Sequence, residues 1–307
     1  MNSTIKFGQS YHMEVQGQTQ PHEIDYPLTC GFSITRTQFA SLNAARFSIY
    51  GLNALKQKDI YFDRNILQSF SDVHIKFFAG YTSQNPGAGA IKPPLPIIFT
   101  GSVHEAYTER SGGEIITQLG AFDGGFAGIN SYADGVVWTP KTTYADAMLN
   151  VMETMRADGV TPGQVNVKSA IPQPLPFTDF GVFTGNSLEV LRKNLPRGAT
   201  CFIDNCTVHI LGQNDTLIAP TALPVLSSST GLLDIPKRQF YTVTCSMIFE
   251  PRIVIGQLLR LHSTLAPWVN NDIYKVTAFT HAGTISAVES GKVITELTLQ
   301  STSAVLR

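Results

Sequence analysis

Charge is scarce in this chain of 307 residues. Charged side chains make up 15%, and 22 Lys and Arg against 23 Asp and Glu leave a formal net charge of −1. The basic excess with which proteins grip a polynucleotide backbone is missing. That argues against a protein that grips DNA, though not against a neutral or acidic wall past which DNA slides. Cysteine is also sparse. Cys30, Cys201, Cys206 and Cys245 form no Cys-x-x-Cys pair and no zinc spacing. They read as reduced, buried thiols that act as small hydrophobes. No uninterrupted apolar run reaches the length that crosses a bilayer, so no membrane-spanning segment is expected. The opening MNSTIKFGQS lacks a basic stretch followed by an apolar core. A secretory leader is therefore not expected, and synthesis in a cytoplasm is.

Catalytic patterns are missing too. The histidines are His12, His22, His74, His104, His209, His262 and His281, and none lies three or four residues from another. No helical metal pair exists, and each reads as a surface or hydrogen-bonded side chain, His12 and His22 as surface residues. There is no nucleophile elbow and no phosphate-binding loop. The glycine-rich GAFDGGFAGIN at 120–130 lacks the spacing of a dinucleotide-binding turn, and no βαβ unit follows. The length leaves no room for a fused lysozyme domain. No catalytic residue, cofactor-binding residue or metal ligand is assigned, no cofactor is expected, and the chain is read as a non-enzyme.

What is present is β-pattern. From Phe240 to Glu250 the apolar residues Tyr241, Val243, Cys245, Met247 and Phe249 alternate with Thr242, Thr244, Ser246 and Glu250, and Ile248 is the one apolar intruder. Pro251 and Gly256 bend the chain. Further strands are expected over 257–263, 273–283 and 293–299. Near the N-terminus Tyr11, Met13 and Val15 mark a strand, as do 27–35, the run ending Ser48-Ile49-Tyr50-Gly51-Leu52, and 72–80. The Pro- and Gly-rich 82–96 reads as a surface loop in a hairpin whose second strand is 97–103. Residues 104–107 and a polar turn then lead to Ile115-Ile116-Thr117-Gln118-Leu119. That pentapeptide echoes Val293-Ile294-Thr295-Glu296-Leu297 at an offset of 178 (293 − 115). Val103-His104-Glu105-Ala106-Tyr107 loosely echoes Val276-Thr277-Ala278-Phe279, in the same order. The two echoes argue for two related β units, one at each end.

The middle differs. Thr142 or Thr143 caps a helix in which Tyr144, Met148, Met152 and Met155 form a core stripe, and Gly159 ends it. A proline-rich linker at 171–176 follows. Asn186 or Ser187 caps a second helix over 188–195. Residues 199–211 form a hairpin turning at Asp204-Asn205.

The order of these features resembles the baseplate hub proteins of long-tailed bacteriophages, a family related to the hub domains of type VI secretion spikes. The resemblance rests on Gly231-Leu232-Leu233 with Pro236, Pro251-Arg252-Ile253 with Gly256, Asn271-Asp272-Ile273-Tyr274-Lys275-Val276, His281-Ala282-Gly283 and Thr295-Glu296-Leu297. Ser48 to Leu52, the strand ending Gly80-Tyr81, Ile98-Phe99 with Gly101, Asp123-Gly124 and the hairpin at Asp204-Asn205 extend it over about three quarters of the chain. Departures are Asp272 for a turn Gly, Ala282 inserted between His and Gly, and Cys206 for a turn Gly.

The resemblance implies a mainly β protein with a smaller α+β part. Two tail-tube-like antiparallel β-barrels, at 1–120 and 227–307, would flank a middle α+β domain at 121–226. It implies a structural virion protein of the tail baseplate, assembled in the host cytoplasm. The hub would be a homotrimer that joins the six-fold tail tube to the three-fold central spike and forms part of the DNA-passage channel. Expected partners are the tail tube or tube-initiator protein, a central spike on a separate polypeptide, baseplate wedge proteins, the tape measure protein, and DNA only in passage. The alternatives are a receptor- or carbohydrate-binding β-protein and a peptidoglycan hydrolase.

Overall fold

In the computed structural model the described residues are 8–17, 19–39, 42–60, 74–81, 95–125, 127–171, 177–217, 223–285 and 291–302. Most of the 82–96 loop and residues 172–176 of the proline-rich linker lie outside them. The strands are β1 (Gln9–Gln16), β2 (Pro21–Asp25), β3 (Cys30–Thr37), β4 (Ala44–Tyr50), β5 (His74–Tyr81), β6 (Ile97–Ser111), β7 (Glu114–Asp123), β8 (Tyr132–Trp138), β9 (Thr161–Asn166), β10 (Gly181–Asn186), β11 (Thr200–Asp204), β12 (Thr207–Leu211), β13 (Val225–Leu226), β14 (Lys237–Gln239), β15 (Thr242–Ile248), β16 (Leu258–Leu261), β17 (Ile273–Ile285) and β18 (Val293–Ser301). Short helices α1 (Ala54–Ile60), α2 (Ala127–Asn130), α3 (Tyr144–Glu153) and α4 (Ser187–Lys193) complete the set.

Thirteen strands form one sheet. Its main path runs β14-β15-β18-β17-β3-β4-β7-β6-β5-β1-β2, with β16 on β17 and β13 on β16. All pairings along the path are antiparallel. The expected layout of two tube-like barrels is not confirmed by the described residues: no barrel closes among them, and β17 pairs with β3 from Ala278↔Thr37 to Ile285↔Cys30, which joins both ends of the chain in one large sheet.

The sequence echo marks a repeat of five strands in chain order. Gly120 of β7 pairs with Glu105 of β6, and the residue 178 further on, Thr298 of β18, pairs with Ala278 of β17. Carried through the other pairings, β4 corresponds to β15 (242 − 44 = 198) and β3 to β14 (239 − 35 = 204). In the same way β5 corresponds to β16 (258 − 74 = 184). Both long strands carry a bulge at the echoed site, between Val103 and Glu105 in β6 and between Val276 and Ala278 in β17. One extra residue there locally bends and twists the strand.

Three apolar clusters organise the chain. The first packs β1 and β5 against β3, β4 and β7. Phe77 lies 5.1 Å from Phe32 and 4.9 Å from Phe47 between ring centroids, and all three rings are buried. Burying each such ring contributes about 2–3 kcal/mol. The second cluster holds Met148, Met152 and Met155 of the expected helix stripe with Leu188, Leu191, Ile203, Val208 and Ile210. Here α3 is capped by Thr143 in a reciprocal capping box with Asp146, and α4 by Asn186. The third joins Val243, Cys245 and Met247 of β15 with Val276, Phe279, Leu297 and Leu299. Two expectations need correction. Tyr241 does not join that face but sits exposed on the β14–β15 turn. His22 is buried rather than on the surface, its Nε2 2.6 Å from Asp59 Oδ2.

Candidate functional site

A strand buried on one side must show its other side to something. Six strands, β15-β18-β17-β3-β4-β7, present one continuous face opposite the apolar clusters. Four residues per strand lie on it, from Thr242, Thr244, Ser246 and Ile248 on β15 to Ile116, Gln118, Gly120 and Phe122 on β7. One row crosses as Ser246, Glu296, Thr280, Thr35 and Ala44. The next crosses as Ile248, Ile294, Ala282, Ser33, Arg46 and Gly120. Serine and threonine dominate, and the charges these six strands carry there are Arg46 and Glu296, with Asp234 at the β15 edge accepting from Ser246 Oγ at 3.0 Å. Hydroxyls pair with one another across strands. Thr35 Oγ1 lies 3.2 Å from Thr280 Oγ1, and Ser48 Oγ donates to Gln118 Oε1 at 2.6 Å. Such a face is wettable yet offers a phosphate backbone no row of cations to hold.

The middle segment is fastened to the sheet by a plug. The β11–β12 turn places Asn205 at φ 49° and Cys206 at φ 55°. Two successive left-handed residues make the tight turn that matches strand twist, where glycine is the usual second residue. Their N–H groups point together and donate to the two oxygens of Asp123, at 2.8 Å from Asn205 and 2.7 Å from Cys206. Asp123 ends β7 and is fully buried. Arg36 of β3 meets the same turn: its guanidinium donates to Asp204 Oδ1, to the Ile98 carbonyl, and to Asn205 Oδ1 at 2.5 Å. Asn43 Nδ2 donates to the Ile203 carbonyl at 2.7 Å. Burial pushes the Asp123 carboxyl up to about 6, with the Arg36 charge and both backbone donors pulling the other way. At the open end of the same hairpin, buried Lys275 of β17 donates to the carbonyls of Gly212 at 2.9 Å and Gln213 at 3.0 Å. Burial pushes that ammonium down to about 8. One hairpin is thus tied to both five-strand units.

The histidines are scattered. His281 is fully buried, Nδ1 2.8 Å from Thr295 Oγ1 and edge-on to Phe249, and burial first and Arg36 second hold its pKa down at about 3. His104 stacks on Phe122, His209 Nδ1 accepts from the Gln164 N–H at 3.1 Å, and His262 is exposed. His74 Nδ1 lies 3.4 Å from Ser102 Oγ. His12, Glu23 and Asp25 on the β1–β2 hairpin bring ligand-type atoms within 4.8 Å of one another, but His12 Nδ1 is already bonded to Asp25 at 2.5 Å. All four cysteines are free, and Cys30, Cys201 and Cys245 are buried. The sequence reading found the turn at Asp204-Asn205 but missed its partners Arg36, Asn43 and Asp123. The one available signal was a charged residue, Arg36, on the apolar phase of a strand.

Residues 177–282 match the family model described as "Baseplate hub gp41". The resemblance read from the sequence is borne out over that stretch. A search of curated proteins returns no match. Among solved structures, a tail protein from Neisseria meningitidis MC58 superposes with a TM-score of 0.57 at 11% identity, over 96% of this chain and 97% of that one. The 43 kDa tail protein of prophage MuSo2 from Shewanella oneidensis gives 0.59 at 9% identity, over 96% and 98%. A type VI secretion system component from E. coli, titled as similar to the T4 tail proteins gp27 and gp5, gives 0.52 at 9% identity, over 94% and 76%. The fold is that of phage tail proteins. Among the described residues no helix is long and apolar enough to cross a membrane.

Proposed function

We propose that the chain is a structural subunit of a tail baseplate hub, three copies of which form a ring between the six-fold tail tube and the three-fold spike. The observation that carries this reading is the five-strand repeat. Three chains bring six related units, so the side facing a tube meets it with six near-equivalent surfaces while the assembly keeps three-fold symmetry. The intrachain β17–β3 junction supplies half of the unit-to-unit contacts such a ring needs. The Ser- and Thr-rich face, with Arg46 and Glu296 on its six strands and Lys237, Glu105 and Glu109 on the flanking β14 and β6, lines the channel and lets DNA pass without holding it. The units at 1–120 and 227–307 are the tube-like parts, and 121–226 is the module locked beneath them by the Asp123 plug. Partners in this reading are the tail tube or tube-initiator protein, the spike, wedge proteins and the tape measure protein. The site of action is the virion, after assembly in the host cytoplasm, and no step is catalytic.

The test is the mass and shape of the purified chain. Light scattering is expected to give about 100 kDa (three times 33.5 kDa), and electron microscopy a ring with a central hole and pseudo-six-fold outline. The ring is expected to bind both tube and spike proteins. A chain that binds neither and instead retains glycans on an affinity column overturns the reading in favour of a receptor-binding protein.

A further inference from the structure

The repeat leaves one junction unmade within the chain. Beyond its bulge β17 uses both edges, β18 on one side and β3 on the other. Its counterpart β6 does not. It pairs with β5 from Ile97 to Ser102 and with β7 from Gly101 to Ser111, and from Glu105 onward β7 is its only strand partner among the described residues. Every residue from Tyr107 to Glu114 is exposed. A strand edge with unpaired N–H and C=O groups is a template for another strand. The counterpart of β3 is equally open. Strand β14 ends the sheet, pairs only with β15 among the described residues, and has three exposed residues. So β17 is to β3 as β6 is to β14, and the second of these pairs is absent among the described residues of the single chain.

We infer that β14 of one copy pairs antiparallel with the free edge of β6 in the next copy, in the register of the β17–β3 junction. The inference rests on the ring reading and names the interface that closes it. The register follows by subtraction. Thr37↔Ala278, Thr35↔Thr280 and Ser33↔Ala282 become Tyr241↔Glu105, Gln239↔Tyr107 and Lys237↔Glu109, using the offsets 204 and 173 (278 − 105). Charge agrees with a register obtained without reference to it. Lys237 falls directly opposite Glu109, and the β14 side carries Lys237 and Arg238 with no carboxylate from 237 to 241. The β6–β7 hairpin carries Glu105, Glu109 and Glu114 against Arg110 alone. The β14–β15 turn supports a contact there. Phe240 is 93% exposed and Tyr241 72%, and Phe240 holds a left-handed φ of 49°. An exposed aromatic kept in that conformation marks a surface that meets something. The contact joins two different surfaces, as the closed ring of the proposed hub requires and a two-fold dimer does not.

Charge reversal in the full chain tests it. Lys237→Glu alone and Glu109→Lys alone are each expected to raise the dissociation constant of the assembly at least about tenfold, since like charges then face each other at the contact. The two reversals in one chain are expected to restore assembly, which a misfolded variant does not do. Lys237→Cys with Glu109→Cys is expected to form an interchain disulfide on mild oxidation, because directly opposed strand positions lie about 4.5–5.5 Å apart, within disulfide reach. If the wild-type chain forms the ring while neither single reversal weakens it, or the double reversal assembles no better than the singles, the junction is wrong and the ring reading stands. If the wild-type chain stays monomeric at the highest attainable concentration, the ring reading fails and the junction with it.

Discussion

Arg36→Met perturbs the plug where its cost can be worked out. The side chain is 3% exposed and serves three acceptors on two parts of the chain. Methionine keeps an apolar side chain of similar length and removes the charge, including the guanidinium over Phe279. Two carboxylates then lose their cation: Asp204, whose side chain is 11% exposed, and the fully buried Asp123. Breaking one side of a buried ionic network costs about 3–5 kcal/mol. The loss is expected to depend on pH. Asp123 binds its proton more tightly folded, at about 6, than at the ordinary 3.8. Its contribution therefore favours folding at low pH and is lost as pH rises through that window. Without Arg36 its pKa climbs further, so the deficit of the variant grows between pH 5 and pH 8. His281, the buried imidazole beside Arg36, is held neutral across this range by its pKa of about 3. Urea denaturation of both proteins at pH 5 and pH 8 measures the difference. Asp204→Asn in the same chain is expected to recover at least about 1 kcal/mol, because it removes one of the stranded charges. A loss that is the same at both pH values and strictly additive with Asp204→Asn would refute the account of the plug.

Three further outcomes follow from single sites. Phe240→Asn is expected to stabilise the isolated chain by about 1 kcal/mol in thermal melts, since Asn tolerates a left-handed φ that costs Phe about that much; a destabilised variant contradicts it. Lys275, pushed down to about 8 by burial, binds its proton more weakly folded than at the ordinary 10.5. Stability is therefore expected to fall as pH drops from 10.5 to 8, and Lys275→Met to flatten that part of the profile in denaturation scans. Burial pushes the thiols of Cys201 and Cys245 up to about 12 and Cys206 to about 11. Thiol titration of the native chain at pH 8 is thus expected to be slow at every cysteine, with Cys206, the only one not fully buried, reacting first.

Period-two alternation was enough to find most of the sheet. Val243, Cys245 and Met247 are buried where the pattern put them, and Ile248 is the exposed exception the alternation singled out. The helices were legible because their caps are local, Thr143 and Asn186 bonding within three residues. The short strands β8, β9 and β10 were not assigned. Their residues Thr161-Pro162-Gly163 and Gly181 read as turn chemistry, and pairing with β12 and β8 overrides that preference. The plug was illegible for another reason. Asp123 meets Asn205 across 82 residues and Arg36 meets Asp204 across 168, and no local pattern encodes such a bond. Tyr241 was assigned inward because alternation cannot tell the first strand residue from the last turn residue before it. The barrels were expected separately because each echo is local, whereas the β17–β3 pairing that merges them spans most of the chain.

The two corresponding edges, β3 and β14, have diverged in a direction that physics explains. Strand β3 has eight residues, and its one charge, Arg36, is buried in the plug. It can be long and uncharged because its partner β17 belongs to the same chain and is present whenever β3 folds. Strand β14 has three residues, follows Pro236, and shows Lys237 and Arg238 to solvent. Short length, proline and lysine are the devices by which proteins keep an open edge from pairing with the wrong strand. An edge that was simply the end of a sheet would need no matching charge elsewhere. An edge that waits for a partner needs both protection before the encounter and a complement at it, and Glu105, Glu109 and Glu114 supply the complement on the other strand edge of the repeat that the described residues leave open. The sequence difference between β3 and β14 is therefore what distinguishes a contact made during folding from one made during assembly.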